Sequence, residues 1–399
     1  MATVPEEIRQ TIFTQPDTAA EPLVRHLVAG VSDDFLKVKI LHDWIADNID
    51  YDIDTYLAGG TPESSWQATL TRRKAFCQGY ADLLQQFCKL ASVPCETVSG
   101  YGRGYGFSVG QQETLGRGNH AWNAVMIDKK WRLVDVTWDA GNIEGRAYRK
   151  QYNTAYLFAD PQGFVYTHFP EDARWQLLDR PLSAEEFKAL PFLEGRFFSQ
   201  GLRLSTPLRR MQPCGESIQF SIAAPDDVLV MAQLDAPGNT DADKFAARTQ
   251  VRRDCNGANV LVTFPAAGPW GVKILTKARK DRGLYWQAGL LEFNASAGTP
   301  WTFAETFSSV SGIDSFLEGP VYAPLPADKP QEFKIRVRGA EQVQLRVGEQ
   351  KWIPMQAAAS EPELYTVTAA APAEAHVQIV ARPPHAGNTY WTIVDYGKK

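Results

Sequence analysis

The chain has 399 residues, which is too long for one hydrophobic core and indicates two or three domains. Hydrophobic residues make up 44% and charged residues 22%, the range of soluble globular proteins. The 41 basic and 46 acidic side chains leave a net charge of −5, which argues against a general nucleic-acid binder because that function needs a basic surface. No apolar run approaches the ~18 residues of a membrane-spanning helix, so we expect no integral membrane segment.

Cysteine usage and the N-terminal segment bear on the cellular compartment. The five cysteines are odd in number and include no Cys-x-x-Cys pair, which argues against a disulfide framework and against a zinc site. The start, MATVPEEIRQTIF, lacks the long apolar core of a signal peptide. The sequence as it stands predicts a soluble cytoplasmic protein. Removal of a signal peptide would make it secreted or periplasmic, so localisation stays open.

Two helices are predicted in the first half of the chain. Apolar side chains recur near helical spacing over residues 35–49, behind a capping residue at Ser32 or Asp33. A second helix is expected from about Cys77 to Leu90, and Pro94 follows it.

The hydrophobic period then changes to that of strands. Apolar and polar residues alternate in HAWNAVMI (120–127) and KWRLVDVTW (130–138). A turn at Asp128–Lys129 joins the two stretches, which predicts a β-hairpin. Ahead of it, SGYGRGYGFSVG (99–110) has five glycines but neither the spacing nor the lysine of a phosphate-binding loop. We expect a flexible loop there, which overhangs a cleft with Tyr101 and Tyr105.

The second half of the chain contains an internal repeat. VKILTKARKDRGLYW (272–286) aligns without gaps on VQIVARPPHAGNTYW (377–391) at an offset of 105 residues. Upstream, IQFSIAAPDDVLV (218–230) resembles FKIRVRGAEQVQL (333–345) at an offset of 115 residues. The difference between the two offsets predicts an insertion in the first copy.

The repeat leads to a prediction of the domain organisation. From about residue 196 the strands are short and recur between Gly and Pro residues, which is typical of β-sandwiches. We predict two all-β immunoglobulin-like domains, at 196–298 and 299–399, after a mixed α and β domain at 1–195. A single larger sandwich is the alternative.

The two cysteines in KAFCQGYADLLQQFC have different surroundings. Cys77 lies where the second helix begins, after the basic residues 72–74, and both the helix N-terminus and the cations favour a thiolate. Cys88 lies about three turns further along the helix, among Leu84 and Phe87. Cys88 is therefore predicted to be a core thiol, and Cys77 is the candidate nucleophile.

A cysteine nucleophile needs a base and a group that orients the base. His120 is the next histidine after Cys77 and begins the first strand of the hairpin. With a two-residue turn at Asp128–Lys129, Asp135 lies on the facing strand one diagonal step from His120, about 7–8 Å away on the same face. Asp128 and Asp139 are weaker candidates for the orienting acid.

These residues lie in recognisable surroundings. Three stretches follow one another along the chain: FCQGYADL, NHAWNAV and WRLVDVTWDAG. In this order they resemble the transglutaminase-like superfamily of papain-type cysteine enzymes, and an earlier stretch, LHDWIADNIDYD, fits the opening helix of that family. Residues 156–187 are similar to the kyphoscoliosis-peptidase-like branch. The resemblance covers about residues 30–195. It implies an α+β papain/transglutaminase-like catalytic domain with Cys77 as nucleophile, His120 as base and Asp135 as orienting acid, followed by β-sandwich domains.

Other parts of the site are less well defined by the sequence. The backbone N–H of Cys77 is the natural first donor to an oxyanion, and the Trp66 indole or the Gln67 amide could supply a second. Packing in the core is the alternative for Trp66. Trp122, beside the base, either shapes the substrate channel or packs.

The remaining histidines predict neither a metal nor a cofactor. None of them is spaced from carboxylates like a metal-ligand cluster. His168, in the family-like stretch, is expected to be structural.

The leading hypothesis is a cysteine protease or amidase that acts on a protein or peptide substrate. Resolution of the acyl intermediate by a lysine amine instead of water would make it a protein-cross-linking transglutaminase, with the same triad. The rival is a non-catalytic scaffold that binds partners through its C-terminal sandwich domains. Carbohydrate or cell-surface binding would need exposed aromatic side chains there, and the candidates are Trp270, Trp286, Trp352 and Trp391. Trp286 and Trp391 occupy equivalent positions of the repeat, which favours a shared core packing site over a shared ligand site.

Overall fold

The computed structural model divides the chain into two compact units, Met1–Ser199 and Gln200–Lys399. Each unit is described by itself. The structure describes residues 4–61, 63–104, 106–116, 118–238, 242–254, 257–281, 283–307, 309–310 and 312–397.

The first unit is a mixture of helices and strands. Its helices are α1 Glu6–Thr14, α2 Pro16–Leu27, α3 Asp34–Asn48, α4 Ile53–Leu57, α5 Trp66–Arg72, α6 Cys77–Leu90, α7 Val136–Ala140, α8 Pro161–Phe164, α9 Ala184–Ala189 and α10 Gly195–Ser199, with a 3₁₀ turn at Ala173–Gln176. Its strands are β1 Asp50–Tyr51, β2 Lys74–Ala75, β3 Cys95–Gly102, β4 His120–Ile127, β5 Lys130–Val134, β6 Gly141–Glu144, β7 Ala147–Lys150, β8 Leu157–Ala159, β9 His168–Pro170 and β10 Phe192–Leu193.

A central antiparallel sheet organises this unit, with strand order β8-β5-β4-β3-β9. Helix α6 packs against β3 and β4, and α3 packs on α6. The buried side chains between these layers include Leu41, Leu84 and Val125. The amide of Asn123 donates to the Ala81 carbonyl at 2.9 Å and so ties β4 directly to α6.

Several predicted elements are confirmed. Helix α3 begins after Asp33, whose carboxylate accepts a hydrogen bond from the Leu36 N–H at 2.8 Å, and α6 spans Cys77–Leu90. The hairpin turn at Asp128–Lys129 is also present, with φ of 51° and 61° and Ile127 paired with Lys130. Positive φ at both turn positions is typical of the two-residue turns that match strand twist.

The second strand of the hairpin is shorter than predicted. Strand β5 ends at Val134, and Asp135 starts helix α7 as its N-cap. The Asp135 carboxylate accepts hydrogen bonds from the N–H groups of Thr137 and Trp138, at 2.9 and 3.3 Å. Such capping bonds compete with strand pairing, which the alternating pattern of residues 130–138 does not reveal.

The second unit is almost entirely β. Its strands are β11 Arg203–Leu204, β12 Gln212–Cys214, β13 Ser217–Ala223, β14 Val228–Asp235, β15 Thr249–Asp254, β16 Gly257–Thr263, β17 Gly268–Ala278, β18 Trp286–Ala295, β19 Thr302–Phe303, β20 Glu305–Thr306, β21 Ser309–Val310, β22 Ile313–Gly319, β23 Tyr322–Ala323, β24 Gln331–Arg338, β25 Gln342–Val347, β26 Lys351–Pro354, β27 Gln356–Ala358, β28 Glu361–Ala369, β29 Val377–Arg382 and β30 Trp391–Asp395, with a 3₁₀ helix at Ala242–Arg248.

The sequence repeat corresponds to a repeat of strand order. In the first copy, one sheet contains the neighbouring strands β13-β16-β15 and the other contains β14-β17-β18. In the second copy, the corresponding neighbours are β24-β28-β27 in one sheet and β25-β29-β30 in the other. In the first copy the rings of Phe220 and Phe293 stack at 5.7 Å between the two sheets. The extra residues of the first copy form the 3₁₀ helix Ala242–Arg248 after β14. The division of this unit at residues 298 and 299 stays a prediction.

The tryptophans of the second unit differ in exposure. Trp270 is buried and donates its indole N–H to the Ala266 carbonyl at 2.9 Å. Trp352 and Trp391 are exposed. Trp391 begins β30 as Trp286 begins β18, so the two residues occupy equivalent positions. The Trp391 side chain is 42% exposed, which a shared core packing site does not explain. Among the described residues, none of the helices is both long and apolar enough to span a membrane.

A buried ion pair anchors the segment that follows β3. The Arg103 guanidinium donates two hydrogen bonds of 2.7 Å to the Glu113 carboxylate, and both side chains are fully buried. The other N–H groups of the Arg103 guanidinium donate to the backbone carbonyls of Tyr166, Phe187 and Leu190. The pair therefore holds this segment against the remainder of the unit.

We expect Glu113→Gln to lower the free energy of unfolding by about 3–5 kcal/mol, because the buried guanidinium loses the charge that compensates it. Glu63→Gln is the matched control, since Glu63 pairs with Arg72 at the exposed surface, and we expect a change within about 0.5 kcal/mol. Urea unfolding followed by circular dichroism measures both. Equal effects of the two substitutions would contradict the structural role of the buried pair.

Candidate active site

Cys77 is the first residue of α6 and lies beside His120. The preceding residue, Phe76, has an extended backbone, and within the described part of the chain no side chain caps this helix. The sulfur takes part in hydrogen bonds with the His120 imidazole and with the Ala121 backbone. Burial alone would raise the pKa of the Cys77 thiol, but the His120 charge and these hydrogen bonds lower it below its ordinary value.

His120 connects the thiol to Asp135. Its Nε2 lies 2.6 Å from Asp135 Oδ2, and its side chain is only 8% exposed. Burial would lower the pKa of His120, but the negative charges of Asp135 and Cys77 and the hydrogen bonds to both raise it to about 10. The interaction between the two side chains therefore favours the thiolate–imidazolium form of the pair.

Asp135 holds four hydrogen bonds on one carboxylate. Oδ1 accepts from the backbone N–H groups of Thr137 and Trp138, and Oδ2 accepts from His120 and, at 3.0 Å, from Nε2 of His168. Burial would raise the pKa of this carboxyl, but the His120 charge and the hydrogen bonds from the two imidazoles hold it far below its usual value. Asp135 is thus an anion, and its contact with His120 comes from its position as a helix cap and not from strand pairing.

The glycines of the stretch 99–110 provide space for aromatic rings. A Cβ on Gly100 would lie 2.5 Å from the Trp122 ring, one on Gly102 would lie 2.9 Å from Cβ of His120, and one on Gly104 would lie 2.9 Å from the Trp138 ring. Strand β3 continues to Gly102, so the first part of this stretch is sheet and not the flexible loop that we expected. Tyr105 lies outside the described residues. The glycines of the stretch let the site residues pack directly on backbone.

Two predicted substrate contacts are placed elsewhere by the structure. Tyr101 lies between two glycines that face Trp122 and His120, so its side chain is on the opposite face of β3, where its ring contacts Phe187 at 6.1 Å. Trp122 is buried, in contact with the rings of Phe164 and His168. For Trp122, packing is therefore the better of the two interpretations.

The two candidates for a second oxyanion donor make other contacts. The Gln67 amide donates to the Asp17 carboxylate of α2 at 3.0 Å. Trp66 packs, partly buried, against the helical core, which was the alternative for this residue. The backbone N–H groups at the start of α6 are the donors that the helix presents beside the thiol.

The sequence reasoning missed Trp138 and undervalued His168. The Trp138 ring stacks on the His120 imidazole at 4.9 Å and an interplanar angle of 26°, and it lies 4.4 Å from His168. The only sequence signal for Trp138 is its place three residues after Asp135. His168 comes from β9, which pairs with β3 far from the hairpin in sequence.

A second histidine–aspartate pair fixes the helix that Asp135 caps. His42 of α3 is fully buried, and its Nε2 lies 3.0 Å from Asp139 Oδ2, while Asp139 Oδ1 accepts from the Tyr156 N–H at 3.0 Å. Asp139, a weaker candidate for the orienting acid, therefore pairs with His42. The pair ties α7 to α3.

Three donor atoms of the site, on His120, Asp135 and His168, lie within 4.8 Å of one another. Two ligands of a tetrahedral zinc ion, each about 2.0–2.2 Å from the metal, are about 3.3 Å apart. The separation of 2.6 Å between His120 Nε2 and Asp135 Oδ2 is shorter than that. Protons in hydrogen bonds account for this cluster without a metal ion.

The other described cysteines have different surroundings. Cys88 is buried, and a hydrogen bond with Cys88, together with burial, raises the pKa of Cys95 well above its ordinary value. Burial raises the pKa of Cys214 to about 11. Cys255 lies outside the described residues.

Comparison with known proteins identifies the first unit. Residues 21–136 match the family model of the transglutaminase-like superfamily. This segment is a transglutaminase-like domain. The chain is 33% identical to kyphoscoliosis peptidase from Mus musculus over 264 residues and 34% identical to that from Homo sapiens over 266 residues. It is also 31% identical over 197 residues to hillarin from Drosophila melanogaster. That alignment covers 46% of this chain and 24% of hillarin.

The similarity extends beyond the transglutaminase-like domain but not over the whole relatives. The alignments to the two kyphoscoliosis peptidases cover 65% of this chain and 38% and 39% of those proteins. The chain therefore spans less than two fifths of their length. The resemblance to the transglutaminase-like superfamily and to its kyphoscoliosis-peptidase-like branch is confirmed.

The charge state of Cys77 predicts a pH profile for its alkylation. Because His120 lowers the pKa of this thiol, we expect reaction with iodoacetamide to reach half its plateau below pH 8.5, about the value for a free thiol. In His120→Ala the cation and its hydrogen bond are lost and burial remains, so the midpoint should move above the free-thiol value. Peptide mapping distinguishes Cys77 from Cys95, which should not react at neutral pH. A wild-type midpoint at or above 8.5 would rule out the thiolate–imidazolium pair.

The glycine contacts predict that Gly102→Ala displaces the imidazole. The new Cβ would lie 2.9 Å from His120 Cβ, so His120 must shift, and we expect alkylation of Cys77 at pH 7 to slow by about ten- to a hundredfold. Gly116→Ala is the control, because a Cβ there meets no heavy atom within 4 Å among the described residues. An unchanged rate in folded Gly102→Ala would show that this packing does not position His120.

Proposed function

We propose that this chain is a cysteine protease or amidase that cleaves amide bonds in a protein or peptide substrate through an acyl-enzyme on Cys77. The observation that supports the proposal is the hydrogen-bonded series from Cys77 through His120 to Asp135, with 2.6 Å between the last two side chains. Its two ends are a thiol with a lowered pKa and an ionised carboxylate, the arrangement that nucleophilic catalysis by cysteine requires.

Each residue has a defined role in the proposed reaction. The Cys77 thiolate attacks the carbonyl carbon, and the negative charge that forms on the oxygen is stabilised by backbone N–H groups at the positive end of α6. His120 donates its proton to the leaving amine, which leaves the acyl group on sulfur. Neutral His120 then takes a proton from water, which attacks the acyl carbon and restores the thiolate. Asp135 keeps its charge throughout and holds the imidazole in orientation.

Hydrolysis is the outcome that we propose for the acyl intermediate, with transamidation as the alternative. Both reactions use the same three residues, so geometry does not separate them. Similarity to proteins named kyphoscoliosis peptidase favours water as the acceptor. A non-catalytic scaffold is the remaining rival, although it would not need a thiolate.

We also propose that the second half of the chain contains two immunoglobulin-like domains, at 196–298 and 299–399, that bind protein partners. The shared strand order of the two copies supports a duplicated sandwich. Exposed aromatic side chains such as Trp352 and Trp391 would be available to a partner.

Incubation with a peptide library, followed by mass spectrometry, tests the proposed reaction. We expect peptide cleavage by the wild type, no turnover by Cys77→Ala, and a turnover lower by about 10²–10⁴ in Asp135→Asn, which loses the charge that stabilises the imidazolium. Cys95→Ala is the control and should keep activity. An added labelled amine would be incorporated only if the intermediate transfers its acyl group to amines. Wild-type protein that forms neither product nor acyl adduct would favour the scaffold.

A further inference from the structure

A second imidazole binds the orienting carboxylate of the site. His168 is buried on β9, and its Nε2 lies 3.0 Å from Asp135 Oδ2, the same oxygen that His120 contacts at 2.6 Å. Nδ1 of His168 lies 2.9 Å from the Thr167 hydroxyl oxygen. One carboxylate oxygen is thus shared by two histidines from different strands.

The partners of His168 define its tautomer. An ionised carboxylate only accepts hydrogen bonds, so Nε2 of His168 carries the proton that points to Asp135. In the neutral ring Nδ1 then carries no proton and accepts from the Thr167 hydroxyl, whose oxygen lies 2.9 Å from Nδ1 and 3.3 Å from the Phe164 carbonyl. Both ring nitrogens are therefore occupied and the ring cannot change its role without a loss of hydrogen bonds.

His168 is neutral while His120 is charged. Burial and the nearby His120 cation lower the pKa of His168 to about 4, because together they outweigh the attraction of Asp135 and the hydrogen bond with the Phe164 backbone. The titratable groups that face the ring are Asp135, His120 and Tyr156, whose ring is 5.5 Å away. At neutral pH the cluster thus contains one carboxylate and one imidazolium, and His168 adds a hydrogen bond without a second positive charge.

Packing holds the His168 ring in place. It stacks on Phe164 at 3.8 Å and lies 4.4 Å from the Trp138 ring and 5.0 Å from the Trp122 ring. Strand β3 separates the two histidine strands, with Gly100 paired to His120 and Gly102 paired to His168. The absence of side chains at these glycines lets both imidazoles reach one carboxylate.

We propose that His168 is a positioning residue of this site: its Nε2–H fixes the Oδ2 atom of Asp135 and so the orientation of His120 towards Cys77. This proposal rests on the proposed thiol chemistry. Two backbone N–H groups hold Oδ1, and among the described residues His168 supplies the one further donor on Oδ2 that is not itself part of the proton path. Without it, the carboxylate can turn about its remaining bonds, and the imidazolium loses its alignment with the sulfur.

The test compares His168→Phe, which keeps an aromatic ring but removes the donor, with His168→Gln, whose amide nitrogen can replace Nε2–H. For His168→Phe we expect the pH midpoint of Cys77 alkylation to rise by about one unit and kcat to fall about tenfold with little change in KM. His168→Gln should restore most of both. Alkylation stoichiometry and circular dichroism count the folded molecules, so that loss of folded protein is not scored as a shift.

Two further variants keep the test decisive. Thr167→Val leaves the ring in place but removes the hydroxyl that fixes its tautomer, and we expect a smaller shift in the same direction even if His168→Phe does not fold. His376→Phe is the control, because His376 forms a 2.7 Å contact with Asp395 in the second unit and should leave the midpoint unchanged.

The outcomes separate this proposal from the proposed function. Unchanged midpoints in folded His168→Phe, or in Thr167→Val if His168→Phe is unfolded, would overturn the positioning role and assign His168 to packing alone. The alkylation midpoint needs no substrate, so it tests His168 even if the wild type cleaves no peptide. A wild type without turnover but with the expected shifts would contradict only the proposed reaction.

Discussion

The site depends on the full occupation of one carboxylate by hydrogen-bond donors. Asp135 accepts from two backbone N–H groups through Oδ1 and from two imidazoles through Oδ2. A buried carboxylate with fewer partners would take up a proton, since burial disfavours its charge. The four donors keep it ionised, and this negative charge in turn keeps His120 protonated beside the Cys77 sulfur.

The surrounding structure fixes the positions of these donors. The short helix α7 presents its first N–H groups to Asp135, and the buried contact between His42 and Asp139 attaches that helix to α3. Strand β3 brings its two neighbouring strands, and with them both imidazoles, to the same place. The arrangement is thus maintained by ordinary secondary structure, and the charges are stabilised by short-range contacts within the core.

Local sequence patterns were sufficient for part of this site. A cysteine at a helix start and a histidine at a strand start were readable because cap and period signals involve adjacent residues, and both elements begin where predicted, at Cys77 and His120. The helix cap at Asp135 was not readable, since the alternating pattern continues through it. His168 could not be placed because it reaches the site through pairing of β9 with β3, a contact between distant parts of the chain. The predicted roles of Cys77, His120 and Asp135 stay predictions.

Asp135 would serve both the fold and the proposed chemistry, whereas Cys77 would serve that chemistry alone. The N–H groups of Thr137 and Trp138 need an acceptor whether or not any reaction takes place, and an asparagine oxygen could serve them as well as aspartate does. A descendant that abandoned catalysis could therefore exchange its cysteine freely and still be under selection to keep an acceptor at this helix start. For sorting active from inactive members of such a family, the residue at the aspartate position is consequently a poorer marker than the residue at the start of α6.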